Sequence, residues 1–410
     1  MANPRPACFR GSEPPVTPQP IHAPRLSTLI LLSAVGVLPI NIFLPSLTNI
    51  ATEFDVDYSV AGLTLAAYAA VSACLQVVMG PLSDRFGRRP VILWGVGIFV
   101  AATFGCIVAP DIPTFLACRM LQAVIAPTYA VSLAVIRDTT SKEETASRIG
   151  YLAMAWAFAP MLGPSFGGLL DQAFGWRANF WFLALAGGAV FALCWIDLRE
   201  TNRAPSATIA EQFRAYPELL ASARFWAYAA CMAFSIGAFF AFLAGAPLAA
   251  RALFDMSPAR LGLLMGTITV GFMVGSFLSG RFASHFPLTT TLIAGRALAV
   301  AGLLVGLALW AAGIDHVVAL FGPCLFVGLS NGLTMPGANA GAISVRPKLT
   351  GSAAGLASAI SIAGGALMSW VAGAVLTPDN ARHAFLLVML AAAVLALAAA
   401  IAARLLERGS

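Results

Sequence analysis

The stretch Gly80–Pro90 reads GPLSDRFGRRP, and its reading decides the fold. It packs one acid and three arginines (Asp84, Arg85, Arg88 and Arg89) into six residues of a 410-residue chain that is only 10% charged. Such a cluster cannot lie in lipid, where charged side chains are costly. The segments on either side, about 60–79 and 91–109, are apolar. Each is close to the roughly 20 residues that a membrane-crossing helix needs. The charged turn is therefore a short aqueous loop between two spanning helices. Gly80 and Gly87 permit a tight turn and close backbone approach. The guanidinium forks suit carboxylates or the carbonyl ends of helices.

Composition extends this reading to the whole chain. Hydrophobic residues make up 59% of it, against roughly 45–50% in a soluble domain, so this is an integral membrane protein embedded in a lipid bilayer. The net charge of +6 does not call for a nucleic-acid partner, because the basic residues sit in short loops, as the positive-inside rule expects. Seven cysteines, at 8, 74, 106, 118, 194, 231 and 324, show no paired spacing. They read as small buried hydrophobes, not as disulfides or metal ligands. His22, His285, His316 and His383 lie in the tail or near segment ends. They assemble no zinc site and no nucleophile–His pair, so neither an enzyme nor a cofactor or metal is expected.

Residues 1–25 hold seven prolines with Arg5, Arg10 and Arg25, and read as a disordered cytoplasmic tail. Twelve apolar spans follow, near 26–50, 59–80, 90–109, 113–136, 146–170, 178–197, 224–247, 258–283, 288–312, 316–342, 348–376 and 382–404. The first half is 26–197 and the second 224–405. The linker at 198–223 carries an amphipathic interfacial helix expected over 208–220. With the N-terminus inside, 18 of the 24 basic residues fall in the tails and inner loops. Arg177, Arg251, Arg260 and Arg382 fall outside, and Arg119 and Arg296 within spans. Both termini are thus expected in the cytoplasm. LSDRFG at 82–87 reappears as LSGRFA at 278–283. The chain therefore reads as two six-helix repeats around a central cavity, an arrangement that opens a midplane site to either side.

Gly80, Leu82, Ser83, Asp84, Arg85, Gly87, Arg88 and Arg89 together resemble the signature loop of the major facilitator superfamily. That resemblance implies an all-α membrane fold of twelve helices in two halves and a transport function. Four further stretches refine it. Arg119 and Gln122 in FLACRMLQAVIAP resemble the fourth-helix Arg-x-x-Gln-Gly motif, with Ala123 in place of the glycine. A guanidinium inside an apolar helix faces a cavity or a partner, or else snorkels to an interface. In relatives that arginine helps couple substrate and proton binding. Gly150, Ala159, Gly163, Pro164, Gly167 and Gly168 resemble the antiporter motif of the drug-exporting branch, with one Gly-to-Ala departure. LPINIFLPSL at 38–47 resembles the first span of the bicyclomycin/chloramphenicol-resistance (Bcr/CflA) exporters. Gly175-Trp176-Arg177 with Asn179-Phe180-Trp181 resembles the start of their sixth.

The resemblance implies a bacterial inner-membrane drug:proton antiporter, a monomer with a small-molecule substrate. Asn41, however, stands where those exporters usually carry a proton-carrying aspartate, and none of the 18 acids falls in the middle of a span. Asp171, Asp315 and Asp84, near the membrane faces, remain as proton-exchanging candidates. A facilitator or symporter for a metabolite, and a non-transporting sensor, stay open as alternatives. Cavity candidates on the helices that line the cavity in this superfamily are Asn41, Phe43, Tyr68, Arg119, Gln122, Tyr129, Met154, Trp156, Phe239, Phe242, Asn331, Met335 and Asn339. The set is aromatic, Met and neutral amide, which suits amphiphilic compounds. Gly80, Asp84, Arg85, Gly87, Arg88 and Arg89 are expected to form a conformational latch, with Asp84 reaching the opposite half.

Overall fold

A computed structural model describes residues 23–140, 142–202, 216–282, 287–346 and 350–408. These residues form helices α1 (Leu26–Asn41), α2 (Leu47–Glu53), α3 (Tyr58–Phe86), α4 (Arg88–Val108), α5 (Ile112–Gln122), α6 (Thr128–Thr139), α7 (Lys142–Phe174) and α8 (Arg177–Asp197). After α9 (Tyr216–Leu220) come α10 (Ala223–Phe254), α11 (Pro258–Phe282), α12 (Leu288–Ala311), α13 (Val317–Ser344), α14 (Thr350–Val375) and α15 (Ala381–Arg408). Among the described residues, eleven helical crossings are long and apolar enough to span a membrane. The 33-residue α7 takes the place of the expected fifth span and completes twelve. The proline-rich tail and most of the expected 208–220 helix lie outside the described residues, and α9 is the part seen.

Two crossings are broken where a continuous helix was expected. The first divides into α1 and α2, joined by a 3-10 turn at Leu44–Ser46. Pro45 has no N–H to offer the carbonyl four residues back, so the α-helical ladder stops there. The fourth divides into α5 and α6 around a 3-10 turn at Ala123–Ile125. Pro127 interrupts it in the same way, and the Thr128 hydroxyl donates to the Ile125 carbonyl at 2.6 Å. The seventh crossing runs on to Phe254, beyond its expected end at 247, because Pro247 is accommodated inside the helix.

Each half is closed by the same device. The Arg25 N–H and the Thr28 hydroxyl, at the start of the first crossing, donate to Asp197 Oδ2 at the end of the sixth, at 2.8 and 2.7 Å. In the second half, Arg224 donates to Glu407 Oε1 at 3.0 Å, and the Tyr228 hydroxyl donates to the same oxygen. These pairs share a membrane face with the 80–90 turn, termed here the basic face. At the far face, Glu53 holds the Trp176 indole at 2.5 Å and the Arg177 guanidinium.

The halves meet close to the far face. A β-carbon on Gly168 of α7 would lie 2.2 Å from the Pro258 carbonyl oxygen of α11, and one on Gly262 would lie 2.3 Å from that of Pro164. The Ser165 hydroxyl donates to the Gly262 carbonyl at 3.0 Å, and the Tyr58 hydroxyl to that of Ala244. Backbone contact of this closeness, possible only between small residues, joins the halves on the far side. Nearer the basic face, the Ser358 hydroxyl of α14 donates to Gln76 Oε1 of α3 at 2.9 Å.

Candidate functional site

α5 starts at Asp111, whose Oδ1 accepts from the Thr114 N–H at 2.9 Å. These hydrogen bonds hold the Asp111 carboxyl below its ordinary range. Two turns further in, the helix delivers Arg119 into the interior of the first half, fully buried at 0% exposure. That burial removes the snorkelling alternative. Arg119 NH1 donates to Gln122 Oε1 at 2.6 Å, and Gln122 Nε2 donates to the Thr103 hydroxyl of α4 at 2.7 Å. Arg119 NH2 donates to the Pro39 carbonyl at 3.0 Å. Pro39 lies in the last turn of α1, where carbonyls lack intrahelical donors. The guanidinium carbon stands 4.3 Å from the Phe43 ring centre, 4.8 Å from Tyr68 and 5.9 Å from Phe180.

Among the described residues, no carboxylate forms an ion pair with this cation. Ring quadrupoles, an amide and a freed carbonyl balance its charge instead. The site can therefore receive a dipole or a negative group without first breaking a salt bridge. It also joins the fourth crossing to the first at the point where the first is broken.

The second half has a counterpart that spacing alone did not reveal. Arg296 of α12 is 2% exposed. Its NH1 donates to Asn331 Oδ1 of α13 at 2.6 Å and to the Ser330 hydroxyl at 3.3 Å. Asn331 Nδ2 donates to the Ser235 carbonyl of α10 at 3.1 Å. The signal available in the sequence was a lone arginine inside an apolar span.

The structure thus brings Phe43, Tyr68, Arg119 and Gln122 together and places Asn331 in a separate cluster. Asn41 faces α7, with its Nδ2 donating to the Val37 carbonyl at 3.1 Å. Tyr129 and Phe239 are half-buried against the main core, as is Met335 against the smaller one, while Phe242 is fully buried. Asn339 is exposed. Met154, Trp156 and Gly150 fall on α7, at positions whose burial and contacts are outside the described residues.

The rest of the expected antiporter stripe is a crossing point. A β-carbon on Gly163 would meet Asn41 Cβ at 3.3 Å, and one on Gly167 would lie 1.7 Å from the Ile42 carbonyl oxygen. Gly168 and Pro164 meet α11 of the other half. One face of α7 therefore touches the broken first crossing, and the neighbouring face touches the second half.

Residues 80–86 continue α3 as helix, so the expected loop narrows to Gly87 between α3 and α4, and this charged junction is clamped by residues far along the chain. Arg88 pairs with Asp84 at 2.5 Å and with Asp138, at the end of α6, at 3.3 Å. Gly87 adopts φ +97°, in the left-handed region that favours glycine. Glu200, just past α8, accepts from the Arg88 N–H at 2.9 Å and the Arg89 N–H at 3.2 Å. It lies at the positive end of α4, where a carboxylate is stabilising. Arg89 donates from Nε to the Leu198 carbonyl at 2.7 Å and stands 5.4 Å from the Trp195 ring centre. Asn202 Nδ2 donates to the Asp84 carbonyl at 2.6 Å. Arg85 is exposed beside Phe86, and a β-carbon on Gly80 would meet nothing within 4 Å.

Comparison with known proteins fits this geometry. The family model described as Major Facilitator Superfamily matches residues 29–369. The chain is 31% identical over 311 residues to a chloramphenicol resistance protein of Pseudomonas aeruginosa, covering 74% of this chain and 72% of that one. It is 27% identical over 350 residues to multidrug resistance protein D of Escherichia coli, covering 84% and 87%. Among solved structures, a peptide transporter in complex with alafosfalin superposes with a TM-score of 0.75 at 16% identity, over 93% of this chain and 95% of that one. A bacterial homolog of the human lysosomal transporter Spinster, in an inward-facing, unoccupied conformation, gives 0.74 at 17% identity, over 93% and 96%.

Proposed function

The chain belongs to the major facilitator superfamily, and from that premise we propose that it exports drug-like small molecules by alternating access, coupled to proton entry. It is a multi-pass membrane transporter. The proposal places it in the bicyclomycin/chloramphenicol-resistance branch, as a monomer in a bacterial inner membrane with both termini in the cytoplasm. The observation that carries this reading is the α7 crossing. Gly163 and Gly167 lie against the broken first helix, and Gly168 against the other half, in the register that resembles the antiporter motif. The names of the chloramphenicol- and multidrug-resistance relatives support the same branch.

In the proposed cycle this arrangement is the inward-facing one, a reading supported by the close packing of the two halves at Gly168 and Gly262. Drug enters from the basic face, and Arg119 recognises carbonyl-rich or anionic parts of it, assisted by Tyr68 and Phe43. The clamped 80–90 turn acts as the latch that closes the cytoplasmic side in the other half of the cycle. A second reading, a facilitator driven by the substrate gradient alone, is favoured by Asn41, an amide that cannot titrate. The test is a susceptibility panel in an efflux-deficient bacterial host carrying the wild type, Arg119→Ala or Asn41→Asp. Protection by the wild type that Arg119→Ala abolishes supports export, and no protection against any compound overturns it.

A further inference from the structure

Gly163, Gly167 and Asp171 follow one another at four-residue intervals on α7, and so share one face. That face tracks the first crossing through its break. Gly163 lies against Asn41 and Gly167 against the Ile42 carbonyl. Asp171 Oδ2 accepts from Asn49 Nδ2 of α2 at 2.8 Å, and the Ser46 hydroxyl is close enough to favour the carboxylate. Ser46 in turn accepts from Asn179 Nδ2 of α8 at 3.1 Å. The seam between α7 and the first crossing is thus a polar row inside an apolar bundle. It runs from Asn41, whose buried Oδ1 finds no donor among the described residues, to Asp171.

Of the three acids that could exchange protons, the structure separates one. The Asp315 side chain is 61% exposed and bonded to Arg382, and Asp84 is paired with Arg88. Asp171 is buried at 7% exposure, and among the described residues its donors are neutral. Charged groups on the neighbouring elements are engaged elsewhere or point to solvent. Glu53 on α2 is bound by Arg177 and Trp176, and Arg177 Nε donates to the Ile107 carbonyl at 3.1 Å. Arg251 and Asp255, at the end of α10, pair with each other at 3.3 Å. Arg260 in the first turn of α11 and Asp55 after α2 are exposed. A buried carboxylate facing only neutral groups changes charge state more readily than one held by a cation.

We infer that Asp171 is the proton-binding group of this transporter, its carboxyl lying on the α7 seam two turns from the position where related exporters carry a first-span acid. The inference rests on the antiport reading above. When the far face opens, a proton from the outer solution adds to the carboxylate oxygen and gives the neutral acid. Asn49 and Ser46 then lose part of their acceptor, which loosens α7 from α2. When the far face closes, the two donors again favour the carboxylate. The proton leaves along the seam, past Ser46 towards Asn41. No co-reactant is needed, because one proton is bound and the same proton released.

The test uses the full chain in proteoliposomes with radiolabelled chloramphenicol, measured two ways: flux driven by an imposed pH gradient, and drug–drug counterflow with no gradient. The expected result is gradient-driven flux by the wild type that Asp171→Asn loses while counterflow persists. Asp171→Glu should restore the gradient response with a displaced pH profile, whereas Asp315→Asn should leave it intact. A wild type that moves chloramphenicol but ignores the gradient overturns the antiport reading itself. A wild type that responds, with Asp171→Asn responding equally, overturns this inference alone. Loss of counterflow in both Asp171→Asn and Asp171→Glu also overturns it, since the residue would then only hold the bundle together.

Discussion

The Glu200 carboxylate lies directly over Gly87: a β-carbon there would come within 2.3 Å of Glu200 Oε2. Gly87 joins the second and third crossings and Glu200 follows the sixth, and their contact caps the start of α4. Gly87→Ala should lower the melting temperature of the detergent-solubilised protein, because it combines a strained backbone with a displaced cap. Pairing it with Glu200→Ala should cost less than the sum of the two single changes, since the second removes the group the first collides with. Additive losses in a thermal-shift double-mutant cycle would show that the two do not share one contact.

Arg119 sits where burying a charge is expensive and no ion pair offsets it. Replacing it by an unbranched apolar side chain of similar length removes that expense. Arg119→Met should therefore keep stability within about 1 kcal/mol of the wild type, or raise it. The same variant should abolish drug efflux. Arg119→Lys should not rescue efflux, because an ammonium cannot reach Gln122 and the Pro39 carbonyl as a fork. Thermal stability and efflux assayed on the same preparations separate the two effects, and a destabilised, inactive Arg119→Met would contradict the account.

The α7 stripe makes a graded prediction. Gly163→Ala needs only a few tenths of an ångström of give from Asn41 and should cost under about 1 kcal/mol. Gly167→Ala and Gly168→Ala run into the Ile42 and Pro258 backbone carbonyls, and should reach or exceed the upper end of the about 1–3 kcal/mol typical of overpacking. Only Gly168→Ala should, in addition, disturb the closed far face. Cysteine cross-linking between residues 62 and 373, where an added β-carbon meets the facing helix no closer than 3.8 Å, reads that closure and should weaken in Gly168→Ala while holding in Gly163→Ala.

Much of this architecture is legible in the sequence. The 80–90 turn could only be aqueous, and the apolar runs between charged turns counted out twelve crossings. Arg119 and Gln122 declared themselves by standing one turn apart in an apolar helix. Two classes of feature were not legible. The breaks at 42–46 and 123–127 have local causes in Pro45 and Pro127, but other membrane helices carry proline without breaking. Pro247 inside α10 is such a case. The partners of the turn were hidden for a different reason. Asp138 and Glu200 lie 50 and 112 residues from Arg88, and no spacing rule connects residues brought together only by the packing of the bundle. Arg296 was visible as a buried arginine, but its pairing with Asn331, 35 residues on, was not.

Arg88 bridges two carboxylates, and the two contacts differ in what they hold. Asp84 is its neighbour on the turn, while Asp138 belongs to the end of the fourth crossing. Asp84→Asn should slow transport with drug affinity largely kept, because Asp138 still holds Arg88 while the turn loses its charge. Asp84→Asn with Asp138→Asn should fall further than the two single changes predict, since the half-buried guanidinium is then left without a carboxylate. Initial rates set beside equilibrium binding of the same drug check both statements.

We propose that this chain moves drug-like molecules out of the cell through a site built on Arg119. The most direct test is the initial rate of chloramphenicol uptake into inside-out membrane vesicles, comparing wild type with the stable Arg119→Met variant. Export through Arg119 gives uptake by wild-type vesicles above that of vesicles lacking the protein, and none above that background for Arg119→Met. Equal uptake by the two proteins, with Arg119→Met folded and present in the membrane, would contradict it.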